Sequence, residues 1–342
     1  MTVMQTWRIM TDRQNNPIGE DALIARYFRP LATHPGAFNL VDDAAILKSS
    51  DEDLVVTTDA IVEGVHFFAD DPPDTIARKA LRVNLSDLAS KGATPAGFVL
   101  TLALRSAEDA WLAPFARGLG EDADRFGCPL LGGDTVSTPG PLMVSIAAFG
   151  RVPAGKMVHR SGAKPGDRLV VTGTIGDAIL GLAILNGGAA AAALADNAAA
   201  SDMLVGRYRV PLPRNAIAPA IREHATAAMD VSDGLAGDLG KLCAASGVTA
   251  VIDAPSVPLS GPAARLLASG VVGIEALLSG GDDYEILCAI PENHFDAFSK
   301  AAGMAGVMVT PIGTVIAGTS EPKFLDAQGR EIQMSRLSFS HF

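Results

Sequence analysis

The 342-residue sequence is poor in cysteine and in positive charge, and its apolar runs are all interrupted. The three cysteines, Cys128, Cys243 and Cys288, are odd in number, far apart and set in apolar stretches. That spacing describes buried reduced thiols in a cytoplasmic protein, not a disulfide framework. Lysine and arginine total 27 against 38 acidic residues, a formal net charge of −11. Nucleic acid and anionic membranes need a basic face, so neither is expected as a partner. A phosphorylated substrate would also be repelled unless cations intervene. The first 20 residues carry Arg, Asp and Glu without an apolar segment, so no secretory signal is read there. Residues 178–195 lack charge, but Asn186-Gly187-Gly188 breaks them, which describes a helix end and not a membrane span.

Catalytic signatures are missing too. The Walker-type phosphate loop is absent, and no His/Cys pair has zinc-ligand spacing. Neither the nucleophile elbow of the serine hydrolases nor the two-histidine metalloprotease helix occurs. Gly118-Leu119-Gly120-Glu121-Asp122-Ala123 mimics a dinucleotide fingerprint, but it lies within a helical pattern and follows no strand. Asp230–Gly234 looks like a calcium loop, yet its glycine comes one place early and Lys241 stands where the closing glutamate belongs.

What is present describes an α+β chain of two similar halves. Hydrophobic residues make up 48% and charged residues 19%, enough to bury two cores. A helix is expected from Gly19 to Tyr27 after a loose extension over 1–18. Strands are expected at Ala44–Leu47 and Leu54–Thr58. Asp74 is read as the N-cap of a helix to Ser90, with Gly92 past its end. Ala77, Leu81, Leu85 and Leu88 form its apolar stripe, and Asn84, Asp87 and Lys91 a separate polar one. A strand at Phe98–Leu104 precedes a helix carrying Trp111, Leu112, Phe115, Leu119 and Ala123, with Trp111 and Phe115 read as core. Strands at Pro129–Leu131 and Met143–Phe149 close the first half, and Arg151–Asp167 reads as a linker. The second half opens with strand Arg168–Thr172 and a helix from Asp177. The alanine-rich segment 189–200 reads as a variable surface piece. A helix over Asp233–Ala245 follows, then strands at Val248–Ile252 and Tyr284–Ile290, a helix near 292–302 and short strands.

The aspartates are the most informative residues. Asp42-Asp43 precedes a strand, Asp59 ends Val55-Val56-Thr57-Thr58, and Asp87 lies on a helix. Asp134 follows Gly132-Gly133, Asp230 and Asp233 flank Val231-Ser232, and Asp282-Asp283 follows Gly280-Gly281. Several stand where an apolar strand gives way to glycine or a helix start, a common place for ligand groups in α/β proteins. Any one of them can be a turn former or a helix cap; Ser232 or Asp233 could cap the helix that follows. Together, with apolar neighbours, they describe converging carboxylates whose repulsion hard divalent cations would relieve, Mg²⁺ first.

These segments resemble the thiamine-monophosphate kinases, related to aminoimidazole ribonucleotide synthetase and selenophosphate synthetase. Seven ordered motifs carry the resemblance. They are Asp42-Asp43-Ala44, Thr57–Asp59 with Gly64-Val65-His66-Phe67, Val83–Ala89, Gly132–Thr135, Arg160–Asp167, Asp230–Leu235, and Gly280–Glu285. The resemblance implies two domains, over 19–152 and 153–342. The first is an αβ domain whose mixed sheet pairs across a homodimer into a barrel; the second is an α+β sandwich-like domain. It implies several Mg²⁺ per site, held by Asp43, Thr57, Thr58, Asp59, Asp87, Asp134, Asp230 and Asp233. It implies ATP at Gly133, Asp134, Arg160 and Ser232, and thiamine monophosphate at His66, Asp282 and Phe339. Three positions depart from the family pattern: Val41 for glycine, Asp282 for glutamate, and Phe339 for a polar aromatic.

The implied reaction, last in thiamine diphosphate biosynthesis, transfers the γ-phosphoryl group of ATP to a phosphate oxygen. That oxygen is ionised near neutral pH, so no catalytic general base is expected. Two like charges about 4 Å apart repel by roughly 4 kcal/mol at an effective dielectric near 20, so cations set the barrier. Arg160 could instead be a surface residue, and His66 a packed one beside Phe67-Phe68. A related superfamily enzyme with another acceptor, of selenophosphate synthetase or cyclo-ligase type, is the alternative; against selenophosphate chemistry, no cysteine precedes position 128, and a hydrogenase-maturation protein would end in a cysteine where this sequence has Phe342.

Overall fold

The computed structural model describes residues 23–34 and 51–334. The extension over 1–18, the strand at Ala44–Leu47, Val41, Asp43 and Phe339 therefore lie outside the described residues. Before the first sheet comes a helical turn over Ile24–Phe28.

The first sheet is built from β1 (Glu52–Val62), β2 (Thr94–Leu104), β3 (Leu130–Ser137) and β4 (Met143–Pro153), in the order β1-β4-β2-β3. It is mixed: β4 runs antiparallel to β1 and β2, whereas β2 and β3 are parallel. Helices α1 (Pro73–Ser90) and α2 (Asp109–Phe126) pack on one face. Strand alternation sends Val55 and Ile61 into that core, while Leu54 and Val56 on the opposite face are 50% and 59% exposed. The apolar stripe Ala77, Leu81, Leu85 and Leu88 is fully buried, each leucine contributing about 2 kcal/mol. Trp111 stacks on the buried Phe115, and the Gly118–Ala123 segment is plain helix. Asp74 does not cap α1; it sits in the first turn behind Pro72 and Pro73.

The second sheet contains β5 (Arg168–Thr172), β6 (Ala227–Val231), β7 (Thr249–Asp253), β8 (Glu285–Ile290), β9 (Val309–Ile316) and β10 (Lys323–Leu325). Their order is β10-β7-β9-β5-β8-β6. Between the strands lie α3 (Asp177–Leu185), α4 (Ala189–Ala193), α5 (Ala198–Arg209), α6 (Ala218–His224), α7 (Leu235–Ser246), α8 (Gly261–Ala268), α9 (Ile274–Ser279) and α10 (Phe295–Met304). One face packs Leu169, Val171, Met229 and Leu287 against α7. The other packs Val170, Ala228, Ile286 and Cys288 against α6, α10 and Ala89 of α1. Helix α1 is thus shared by both cores, which is why even its Asn84, Ser86 and Ser90 are buried.

Three expectations need correction. Arg151–Pro153 finish β4 instead of opening a linker, because they pair with Glu52–Leu54. The alanine-rich segment is not a loose surface piece: α4 and the start of α5 bury Ala190, Leu194 and Ala200 against Leu180 and Leu204. Neither Ser232 nor Asp233 caps α7; the Asp238 carboxylate accepts both their amides instead. All three cysteines are buried free thiols, as expected. Among the described residues, no helix is long and apolar enough to cross a membrane.

Candidate active site

A cavity of about 200 Å³ opens where α1, the end of β1 and the loops after β6 and before β8 meet. Asp59, Asp87, Asp230 and Asp233 line it, along with Ser232, His66 and Asp282. Each arrives by a local rule. Thr57 and Asp59 share the inner face of β1, so the Thr57 hydroxyl donates to Asp87 Oδ2 at 2.5 Å. The Asp59 amide donates to Asn84 Oδ1 at 3.1 Å, one helical turn back on α1. On β6, Asp230 lies two residues from Ala228 and so faces α1, which brings it beside Asp87. The polar stripe of α1 is completed by Lys91, whose ammonium donates to the Ala228 carbonyl at 2.8 Å.

Two loops press together at the cavity floor. A Cβ on Gly281 would meet the Ser232 carbonyl at 2.6 Å, and one on Gly234 would meet the Ser279 backbone at 2.6 Å. The loops are tied by the Asp282 amide to the Ser232 carbonyl and the Tyr284 amide to the Val231 carbonyl, each 2.8 Å. Asp282 and Tyr284 are held at φ +72° and +50°, a conformation that a tyrosine seldom adopts.

The four acids repel one another. Burial, then the neighbouring Asp87 and Asp233, push the Asp59 carboxyl up to about 6. Burial, then Asp87, hold Asp230 well above the carboxylate range. Burial lowers the Lys91 ammonium, against the pull of Asp230 and Asp87. Asp233 has its own cation, Lys241, at 2.5 Å. Among the described residues, no three His, Cys, Asp or Glu side chains form a closed metal cage. The donor set is nonetheless all oxygen and leaves Asp59, Asp87 and Asp230 without an ion pair among the described residues, which suits a hard cation whose remaining ligands are not protein.

Not every expected residue comes to this cavity. Thr58 lies on the opposite face of β1, its hydroxyl on the Ile146 carbonyl at 3.1 Å. Gly133 and Asp134 are on β3, at the far edge of the first sheet. Arg160 is exposed on the loop after β4, within electrostatic reach of Lys91. The cavity's opposite wall was less legible. Tyr208 and Tyr284 line it with the apolar Ala178, Ile179 and Leu182 of α3, and Lys79, outside the lining, bonds to Asp282. Lys79 sits two i+4 steps before Asp87, a signal available in the sequence; Tyr208 has no motif and is placed only by the packing of α5 on α3.

The profiles of the AIR synthase related proteins match residues 41–152 (N-terminal domain) and 164–323 (C-terminal domain). The thiamine-monophosphate kinase of Caulobacter vibrioides is 46% identical over 324 residues, 93% of this chain and 89% of that protein. The chain belongs to the thiamine-monophosphate kinase family. That is a family of phosphotransferases, as the motifs implied. The crystal structure of the Stenotrophomonas maltophilia K279a enzyme superposes with a TM-score of 0.76 at 37% identity, covering 85% of this chain and 90% of that one. The structure of AaThiL complexed with AMPPCP and TMP gives a TM-score of 0.73 at 27% identity, covering 95% and 97%.

Proposed function

We propose that this protein transfers the γ-phosphoryl group of ATP to thiamine monophosphate, giving ADP and thiamine diphosphate in the cytoplasm. The observation that carries the reading is the convergence of Asp59, Asp87, Asp230 and Asp233 on one cavity in a chain of this family. The relative complexed with AMPPCP, an ATP analogue, and TMP supports the same pair of substrates.

Asp59, Asp87, Asp230 and Asp233 would hold Mg²⁺, with Thr57 orienting Asp87; the resemblance also assigns to metal Thr58 and Asp134, which lie away from this cavity, and Asp43, which lies outside the described residues. When bound, the cations would screen the two phosphates and align them. Ser232, Gly133, Asp134 and Arg160 are assigned to ATP. His66 and Asp282, with Phe339, are assigned to the acceptor. Asp282 lines the same cavity as the acid cluster, as do the apolar side chains of α3, an environment suited to a ring that carries a charge. No side chain is asked to remove a proton, because the attacking oxygen is already ionised.

We read the assembly as a homodimer formed through the exposed face of the first sheet. Leu54, Val56 and Val136 are large apolar residues in water there, and Gly133 and Asp134 are on the same edge strand as Val136. The domain division is placed after β4.

The decisive experiment is incubation with MgATP and thiamine monophosphate, followed by chromatographic detection of the diphosphate. Its appearance with stoichiometric ADP is expected. Turnover of thiamine itself, or ADP without diphosphate, would end this reading.

A further inference from the structure

Lys79 does not line the cavity, yet three residues that do all converge on it. Its ammonium donates to the His66 carbonyl at 2.8 Å and to Asp282 Oδ2 at 3.1 Å, and it lies 3.8 Å from the centre of the Tyr208 ring. An ammonium has three protons, and here each has an acceptor: a carbonyl, a carboxylate and a π face. The Tyr208 hydroxyl closes the loop by donating to the same His66 carbonyl at 3.0 Å. Lys79 is only 2% exposed, so water does not compete for these bonds. The three partners come from different parts of the chain. His66 follows β1, Tyr208 is near the end of α5, and Asp282 is in the strained turn before β8.

We propose that Lys79 is a positioning residue for the acceptor: it fastens these three segments into one wall and takes up the charge of Asp282. This rests on the assignment of His66 and Asp282 to the acceptor side. Asp282 then meets the substrate as half of an ion pair, and not as a free counter-ion for a cationic ring. The shape of the wall, with Tyr208 and the apolar α3 side chains, does most of the selecting. A shorter aspartate suits this arrangement, since its oxygen already reaches the buried ammonium.

The two roles for Asp282 predict opposite outcomes. If it were a free counter-ion, removing its charge would weaken acceptor binding whether or not Lys79 is charged. If it is half of a pair, Asp282→Asn leaves a buried ammonium facing the cationic ring, and removing Lys79 as well relieves that repulsion. The test is steady-state kinetics with MgATP and thiamine monophosphate on the full-length wild type, Lys79→Met, Asp282→Asn and the double variant. Lys79→Met should raise the acceptor KM about tenfold and leave the ATP KM within about twofold. Asp282→Asn should raise the acceptor KM by about tenfold or more, and the double variant should recover at least about threefold of that. Equal shifts in both KM values, or a double variant no better than Asp282→Asn, would overturn the proposal. Should Lys79→Met fail to fold, Tyr208→Phe decides with Asp282→Asn. Tyr208→Phe keeps the ring, loses the bond to His66, and should raise the acceptor KM about threefold with the ATP KM unmoved. An unchanged acceptor KM in either variant overturns the proposal. A wild type inert toward thiamine monophosphate removes the functional reading itself, whereas an active wild type whose variants shift both KM values equally removes only the role of Lys79.

Discussion

Glu285 and Asp59 are acids of the same structure with opposite surroundings. Glu285 is fully buried, and Arg207, Arg214 and the Thr172 hydroxyl bond to it at 2.5–2.7 Å. Its neighbours are provided for as well: Asp282 has Lys79, and Asp283 accepts the Gly176 and Ala178 amides at the start of α3. Asp59, Asp87 and Asp230 line the same cavity as Asp282 with neutral donors, one another and the longer-range pull of Lys91. A fold that can surround one carboxylate with two guanidinium groups is able to neutralise its acids. That it leaves three converging ones without an ion pair among the described residues marks the place where charge is to be supplied from outside.

The contrast can be broken from either side. The largest effect is expected from Asp59→Asn, which removes one of the three acids that have no ion pair among the described residues. Activity should fall about 10³-fold, some 4 kcal/mol of barrier, while circular dichroism is unchanged. Turnover within tenfold of wild type at saturating Mg²⁺ would count against a metal role. On the compensated wall, Glu285→Gln leaves two partly buried guanidinium groups without their fully buried carboxylate and should destabilise the fold by about 3 kcal/mol in urea unfolding. An unaltered midpoint would mean that the network contributes nothing to stability.

Mg²⁺ should stabilise the wild type by about 2.7 kcal/mol at a hundred times its Kd. Differential scanning fluorimetry should show the rise in Tm vanish in Asp87→Asn; a rise retained in that variant would place the ion elsewhere. The smallest effect is on pH dependence without metal. The folded carboxyl of Asp59 titrates near 6, above its ordinary 3.8, so between those values the folded state holds a proton that the unfolded chain has released. That contribution is fully present below the unfolded pKa and is lost as pH rises through about 6. Water in the cavity screens part of it, so Asp59→Asn should raise the metal-free Tm at pH 7 by only about 1–3 °C, and not at pH 4. Equal shifts at both pH values would contradict the crowding of these acids.

Much of this was legible from spacing. The stripe Ala77, Leu81, Leu85 and Leu88 announced the buried face of α1, and the separate stripe Asn84, Asp87 and Lys91 announced a second partner for the same helix. The resemblance grouped Thr57, Thr58 and Asp59 as ligands, and strand alternation in the structure keeps Thr57 and Asp59 together and turns Thr58 away. The acceptor wall was less visible. Its aromatic anchor, Tyr208, lies on a helix that opens with three alanines and has no motif of its own. Lys79 had no part in the sequence reading, because burial of a cation depends on partners 13, 129 and 203 residues away.

The residue order alone determined that α1 has an apolar and a polar stripe and that the chain has the motifs of a phosphotransferase family; it placed Asp59 at a strand end, whereas β1 runs on to Val62. Only the tertiary structure decided which acids meet. Asp230 joins Asp87 because β6 packs on α1 with that face, while Asp282 is drawn to the opposite wall by Lys79. The reason is physical: alternation and helical pitch act over a few residues and are written locally. Whether a carboxylate is neutralised depends on charges within a few ångströms, and those come from anywhere in the chain.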